Sequence, residues 1–286
     1  MSSLNIFYSS KLPKKIIKIS NLSKYKDYKL ILITDFDRTI TQGNAKQCHD
    51  YMTEILARYL SYNHPDRLET FQKNEYYKLS DPWKGRHNLF ISSKIKQKYF
   101  EKSINNKELL IRSGVKNTFN YLIKNNIPVI IQSVGIEYII ERVVKHLMNR
   151  STKIKYIIAR DSSNVSDDLK TGIYITAHYI KWKEGIINDI LPHIPDAHYK
   201  IDFPTPFIEK VGYPPHITGV ITGDNINDFN ILKNNKNFIR VGFANDDSQK
   251  FKDLCKICDI VIESSSDHYE IIKDIFNMII KNRWIK

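Results

Sequence analysis

Short apolar runs and amphipathic stretches alternate along this chain. Residues 29–34 read KLILIT, a run fit for a buried strand. The same reading gives strands at 127–132 (IPVIIQ), 154–159, 217–222, 238–241 and 259–262. Helical spacing marks residues 44–62, where Met52, Ile55, Leu56 and Tyr59 share one face, and then part of 89–100. Further helices are expected at 115–124, 136–147, 185–191 and 268–280. Apolar strands alternating with helices predict an α/β fold, a Rossmann-like core whose parallel sheet is covered on both faces. The stretch from about Gln42 to Arg112 breaks the rhythm. It far exceeds the 2–6 residues usual between a strand and a helix, and is read as an inserted helical cap. The expected organisation is a basic N-terminal extension (1–28), a core built from 29–43 and 113–286, and a cap spanning 44–112.

Composition narrows the class. Of 286 residues, 44 are Lys or Arg and 31 Asp or Glu, a net charge of +13. A hydrophobic fraction of 42% with 26% charged residues is that of a globular protein and excludes disorder. No stretch approaches the ~20 apolar residues of a membrane span, so no membrane association is expected. Three cysteines, Cys48, Cys255 and Cys258, are too few for a secreted disulfide framework. A cytoplasmic location is expected. A mitochondrial one is the alternative, because residues 1–26 hold six Lys, several Ser and no acid, although no Arg either. The Cys255–Cys258 pair cannot complete a four-cysteine zinc site. The basic and Tyr residues are scattered rather than gathered into a nucleic-acid motif, and no nucleic-acid partner is expected.

In open α/β sheets the ligand lies beyond the carboxyl ends of the strands. The first strand ends in Asp35-Phe36-Asp37-Arg38-Thr39, the second in Ser133-Val134-Gly135, and a later one in Gly223-Asp224-Asn225-Ile226-Asn227-Asp228. Several carboxylates, a hydroxyl and Gly-rich turns are thereby delivered to one edge. Such an oxygen-rich set suits Mg²⁺, which takes hard ligands together with water and substrate phosphate.

These residues resemble the haloacid dehalogenase-like superfamily of aspartyl-phosphate hydrolases, whose pattern is DxDxT, a strand-end Ser or Thr, a Lys, and GDxxxD. The resemblance implies a Mg²⁺-dependent phosphomonoesterase acting on a small phosphorylated metabolite. Asp35 would be the nucleophile and Asp37 the general acid and base. Thr39 would support the loop. Ser133 and Gly135 would bind phosphate. Asp35, Asp37, Asp224 and Asp228 would serve the metal, Asp37 through its carbonyl and Asp228 from behind or through water. The family lysine is Lys181, by its Y-x-K spacing, or its rival Lys183.

Two segments are similar to eukaryotic pyrimidine 5'-nucleotidases: residues 114–143 and DPWKGRHNLFISSK at 81–94. Arg38 departs from that family, which usually has a smaller or apolar residue there. Trp83 could stack on a base and His87 or Asn88 could hydrogen-bond its edge, or Trp83 and His87 could simply pack the cap. The implied substrate is a nucleoside 5'-monophosphate. Other readings are a phosphatase for phosphoserine, a sugar phosphate or a thiamine phosphate, or a pseudoenzyme binding RNA or protein. The oligomeric state is open.

Overall fold

The computed structural model describes residues 5–65, 82–104, 109–148, 154–156, 172–191, 216–232 and 236–282. The chain opens with strand β1 (Ile6–Tyr8) and helix α1 (Leu12–Leu22), followed by β2 (Tyr28–Thr34). The segment after β2 contributes α2 (Cys48–Asn63), α3 (Pro82–Ser92) and α4 (Gln97–Ser103). Then come α5 (Val115–Lys124), β3 (Val129–Ile136), α6 (Glu137–Leu147), β4 (Ile154–Tyr156), β5 (Ile173–Lys183) and β6 (Ile186–Leu191). The chain closes with β7 (His216–Gly223), a 3₁₀ turn (Ile226–Leu232), β8 (Phe238–Phe243), α7 (Ser248–Cys255), β9 (Ile260–Ile262) and α8 (Glu270–Asn282).

The strands lie in the order β1-β9-β8-β7-β2-β3-β5-β4, with β6 paired to β5. From β9 to β4 the pairing is parallel; β1 on β9 and β6 on β5 are antiparallel. The central strand β2 explains why the apolar runs are continuous. Its Leu30 and Leu32 enter one core with α2, α5 and α8, whereas Ile31 and Ile33 enter the other with Ile217, Phe238 and Leu254. Both faces are covered, so neither set of alternating side chains meets water.

The face expected on α2 is buried, with Met52, Ile55, Leu56 and Tyr59 nearly inaccessible. Each such side chain contributes about 1.5–3 kcal/mol on burial. They pack with Phe90 of α3 and Phe100 of α4. Among the described residues no helix is long and apolar enough to cross a membrane.

The basic N-terminal residues are built into this sheet. Ile6, Phe7 and Tyr8 pair with Ile262, Val261 and Ile260. Leu12, Ile16 and Ile19 of α1 are buried, and Lys15 pairs with Asp259 at 2.6 Å. β1, α1, β5 and α7 form where the sequence pattern marked no element, and one expected element takes another form. Residues 186–191 form β6, not a helix, and Glu184 and Gly185, at φ 53° and 73°, make the tight turn from β5. Two residues at positive φ match the right-handed twist of a hairpin.

Candidate active site

The carboxyl ends of β2, β3 and β7 meet at one edge of the sheet. Thr34 and Thr222 are register partners on adjacent parallel strands, and the Thr222 hydroxyl donates to Thr34 Oγ1 at 2.8 Å. Tyr269 donates its phenol to the same oxygen at 3.0 Å; burial pushes that phenol up to about 12, so it stays a donor. The Asp35 amide donates to Thr222 O at 3.0 Å. Asp35 is therefore held by both strands where they end. Its carboxylate accepts from Thr39 Oγ1 at 3.4 Å. Arg38 takes φ 61°, and its amide donates to Thr41 Oγ1 at 2.7 Å, which turns the chain back sharply after Asp37.

Asp37 is positioned by the next element. Its Oδ1 accepts from the backbone amide of Cys48, the first residue of α2, at 3.0 Å. Such an orphan amide at a helix start favours a carboxylate. The approach of α2 to the end of β3 is close: a Cβ on Gly135 would lie 2.9 Å from Cys48 Sγ. On the third strand, Asp228 Oδ2 accepts from the amides of Asp224 and Asn225 at 3.0 and 2.9 Å, folding the loop over its own acid. Gly223 is required there, since a Cβ would meet Asp228 Cβ at 2.3 Å.

These loops line a cleft of about 230 Å³ bounded by Asp35, Asp37, Arg38, Gln47, Ser133, Val134, Asp224, Asn225, Asn227, Asp228 and Lys250. Carboxylate oxygens of Asp35, Asp224 and Asp228 lie within 4.8 Å of one another. Four carboxyl groups face two cations, Arg38 and Lys250, so acid is in excess in the cleft and a divalent ion would offset it. The donor set is all oxygen and fits a hard cation such as Mg²⁺. Lys250, in the first turn of α7, reaches Asp224 Oδ2 at 2.6 Å. The Arg38 guanidinium meets the Gln47 amide oxygen at 3.0 and 3.1 Å when that amide is turned toward it.

The sequence-derived candidates divide clearly. Asp35, Asp37, Ser133, Asp224 and Asp228 meet in the cleft. Thr39 and Gly135 lie just behind it, and Gly135 donates its amide to Ser133 Oγ at 2.9 Å. Lys181 and Lys183 are exposed on the β5–β6 hairpin and neither lines the cleft. The reason is the hairpin itself: Lys183 precedes a turn rather than a helix, and Lys181 pairs in register with Asp189. Lys250 is the lysine at the cleft among the described residues, and no sequence motif marks it. Asn88 is exposed on α3. Trp83 belongs to the first turn of α3, but its side chain lies outside the described residues.

His87 turns away from the cleft into a cluster with His49 of α2 and His178 of β5. Burial, then the neighbouring His87, His178 and Arg86, hold the His49 imidazole well below its usual range. A second feature missed in sequence is Arg112, buried between the segments that close the site. It donates to the carbonyls of Arg38 (3.1 Å), Thr39 (3.2 Å) and Ser264 (2.7 Å) and to Asn245 Oδ1 (2.6 Å). The three cysteines are free. Burial pushes the Cys258 thiol far up, which suits packing and not redox chemistry.

The model of the pyrimidine 5'-nucleotidase (UMPH-1) family matches residues 20–170, more than half of the chain. Over 261 residues the chain is 23% identical to human 7-methylguanosine phosphate-specific 5'-nucleotidase, covering 82% of this chain and 80% of the relative. The A form from Xenopus laevis is 22% identical over 251 residues, with 80% of each covered. Among solved structures, cytosolic 5'-nucleotidase IIIB bound to cytidine superposes with a TM-score of 0.65 at 12% identity, over 98% of this chain and 94% of that one. Phosphoserine phosphatase in its apo form gives 0.53 at 18% identity, over 86% and 98%. At those identities the solved structures establish the fold: a haloacid dehalogenase-like α/β core. The family match and the fold agree, and the chain belongs to the pyrimidine 5'-nucleotidase family of haloacid dehalogenase-like phosphatases, enzymes that hydrolyse phosphate monoesters.

Proposed function

We infer that the chain hydrolyses a nucleoside 5'-monophosphate through a phosphorylated Asp35, with Asp37 as the proton carrier and Mg²⁺ held by Asp35, Asp224 and Asp228. The observation that carries this reading is the meeting of those three carboxylates within 4.8 Å, with Asp37 lining the same cleft and held by the Cys48 amide. When bound, the divalent ion supplies charge neutralisation for an anionic phosphate approaching an anionic nucleophile.

The chain's own residues account for the rest. Asp35 Oδ attacks phosphorus as the ester P–O bond breaks, and the leaving alkoxide takes a proton from Asp37. In the second half Asp37, now a carboxylate, takes a proton from water. That water attacks the same phosphorus, releasing phosphate and regenerating Asp35. The Cys48 amide on Asp37 Oδ1 fixes the orientation of that carboxyl group. Ser133 and Lys250 are placed to hold phosphate oxygens. Residues 44–112 are read as the cap that selects the leaving group. A volume of about 230 Å³ is below the ~300 Å³ at which pockets begin to enclose whole ligands. It suits the phosphoryl end, leaving the nucleoside to extend toward the helices of the insert.

The test is phosphate release across a panel of monophosphates. It includes the pyrimidine nucleotides and 7-methylguanosine monophosphate, since both chemistries occur in the names of relatives. Phosphoserine and sugar phosphates complete it. Asp35→Asn is expected to abolish turnover with circular dichroism unchanged, and chelation followed by Mg²⁺ to silence and restore the wild type. A fully active Asp35→Asn enzyme overturns the nucleophile, and a panel led by a non-nucleotide overturns the substrate class.

A further inference from the structure

Three imidazoles meet where the insert contacts the sheet. His49 is the second residue of α2, His87 lies within α3 and His178 in β5. They are 0%, 6% and 3% exposed. His49 Nε2 and His87 Nε2 are 3.1 Å apart, with the rings stacked at 5.3 Å and 21°. The His178 ring stands edge-on, 4.8 Å from His87 and 6.1 Å from His49. One ring nitrogen of each histidine lies within 4.8 Å of the other two. None of the three lines the cleft, and the phosphatase chemistry uses none of them.

We propose that His49, His87 and His178 form a second metal site, which takes a divalent transition ion of the Zn²⁺ type and ties the inserted helices to the sheet. The donor set separates it from the carboxylate cleft. Imidazole nitrogen suits Zn²⁺ and its neighbours in the series, whereas Mg²⁺ takes oxygen. Two nitrogens each bound at 2.0–2.1 Å to a tetrahedral ion sit about 3.3 Å apart. The 3.1 Å between His49 and His87 therefore needs an adjustment of only a few tenths of an ångström. Three protein ligands leave the fourth position to water, the pattern of three-histidine sites.

The surroundings support the assignment. His178 Nδ1 lies 2.8 Å from the carbonyl of Val134. A carbonyl only accepts, so Nδ1 carries the proton and Nε2 carries the lone pair. A histidine that donates its other nitrogen to a backbone carbonyl is the usual support for a metal ligand. Arg86, the cation adjacent to His87 in sequence, is engaged by Asp50 at 3.1 Å.

The site would also reach the cleft through the backbone. The Val134 carbonyl lies between Ser133 and Gly135 at the end of β3, and the residue before His49 gives its amide to Asp37. An ion on the three histidines would hold the end of β3 in register with the start of α2.

The test uses the full chain with Mg²⁺ in excess, so that the carboxylate site is filled. One equivalent of Zn²⁺ is expected to bind, and X-ray absorption at the zinc edge to show imidazole nitrogens at about 2.0 Å. Co²⁺ is expected to give the intense visible bands of low-coordinate nitrogen ligation. His87→Gln and His178→Gln should each lower Zn²⁺ affinity at least a hundredfold, while Asp224→Asn leaves it within threefold. Wild-type protein that binds no Zn²⁺ under these conditions overturns the proposal, as does an oxygen-only zinc shell. Either result assigns the cluster to packing alone. Because these readouts do not involve turnover, they are independent of the substrate reading above.

Discussion

Replacing Arg112 with Met tests how this active site is held together. The guanidinium is buried and its donors tie three loops together: Arg38 O and Thr39 O after β2, Ser264 O and Asp267 O after β9, and Asn245 Oδ1 after β8. It also lies 4.4 Å over the Phe243 ring. Burial lowers its pKa to about 10, so it is charged at neutral pH. The lowered value means that the desolvation cost is present at every pH below about 10 and is relieved only above it. Between pH 6 and 9 this group adds no pH dependence.

Hydrogen bonds to a charged donor contribute about 1.5–3 kcal/mol each and do not add. Breaking a buried network by removing one partner typically costs about 3–5 kcal/mol. Met preserves volume but leaves several carbonyls without their donor, and the Phe243 contact loses its charge. Arg112→Met should therefore lose about 3 kcal/mol of unfolding free energy, roughly a hundredfold in the folding equilibrium. Arg112→Lys, which keeps the charge but not the planar fork, should lose less. Urea titration followed by tryptophan fluorescence measures both. Because Arg38 and Thr39 directly follow Asp37, kcat should also fall by roughly tenfold to a hundredfold with a smaller change in KM. An Arg112→Met protein within ~0.5 kcal/mol of wild type, with unchanged kcat, refutes the view that this side chain closes the site.

Other substitutions probe separate contacts. Lys250→Ala should raise KM for phosphate monoesters about tenfold, the loss of one charge-assisted hydrogen bond; an unchanged KM would confine Lys250 to its pair with Asp224. Gly135→Ala forces a Cβ to within 2.9 Å of Cys48 Sγ and should cost about 1–3 kcal/mol. Adding Cys48→Ala should return part of that loss, and a fully additive double mutant would deny the contact. Trp83→Ala should raise KM for nucleoside monophosphates more than for glycerol phosphate. Equal effects on the two would remove base stacking from its role.

Much of the sheet was legible because its strands are buried on both faces. Continuous runs such as 29–34 and 217–222 have no other good place in a folded chain, and the acids that follow them inherit their position from the sheet edge. Residues 185–191 read as a helix for a physical reason, and the long strand β5 before them carried no expectation at all. Ile186, Ile187, Ile190 and Leu191 repeat at 3 and 4, which imitates a helix face, yet in the structure only Ile187 and Ile190 are buried. The Glu184-Gly185 turn after a long β-branched and aromatic strand was the better signal. Lys181 and its rival Lys183 rested on local spacing, and the hairpin carries both away from the cleft. Strand β1 escaped notice because three residues are too few to show alternation. Lys250 and Arg112 were invisible for a different reason. Each owes its place to partners far off in sequence, Asp224 for one, Asn245 and Ser264 for the other. No local pattern records such a meeting.

The net charge of +13 also takes a different meaning at the site. The cleft itself runs the other way, with four carboxylates against Arg38 and Lys250. A phosphate dianion entering it would be repelled by the carboxylates, and Lys250 is already committed to Asp224 at 2.6 Å. With a divalent ion on the carboxylates, Asp224 would no longer need Lys250, and that lysine would become available to a phosphate oxygen. The basic surface can raise the encounter rate, but only a neutralised cleft can retain the substrate. This ordering has a kinetic signature. The apparent KM for substrate should fall as Mg²⁺ is raised and then level off. In Lys250→Ala it should level off at a higher value, and at a lower Mg²⁺ concentration, because the competing ammonium is gone. A KM independent of Mg²⁺, with only kcat responding, would show instead that substrate binds without the ion and that the cleft charge does not govern capture.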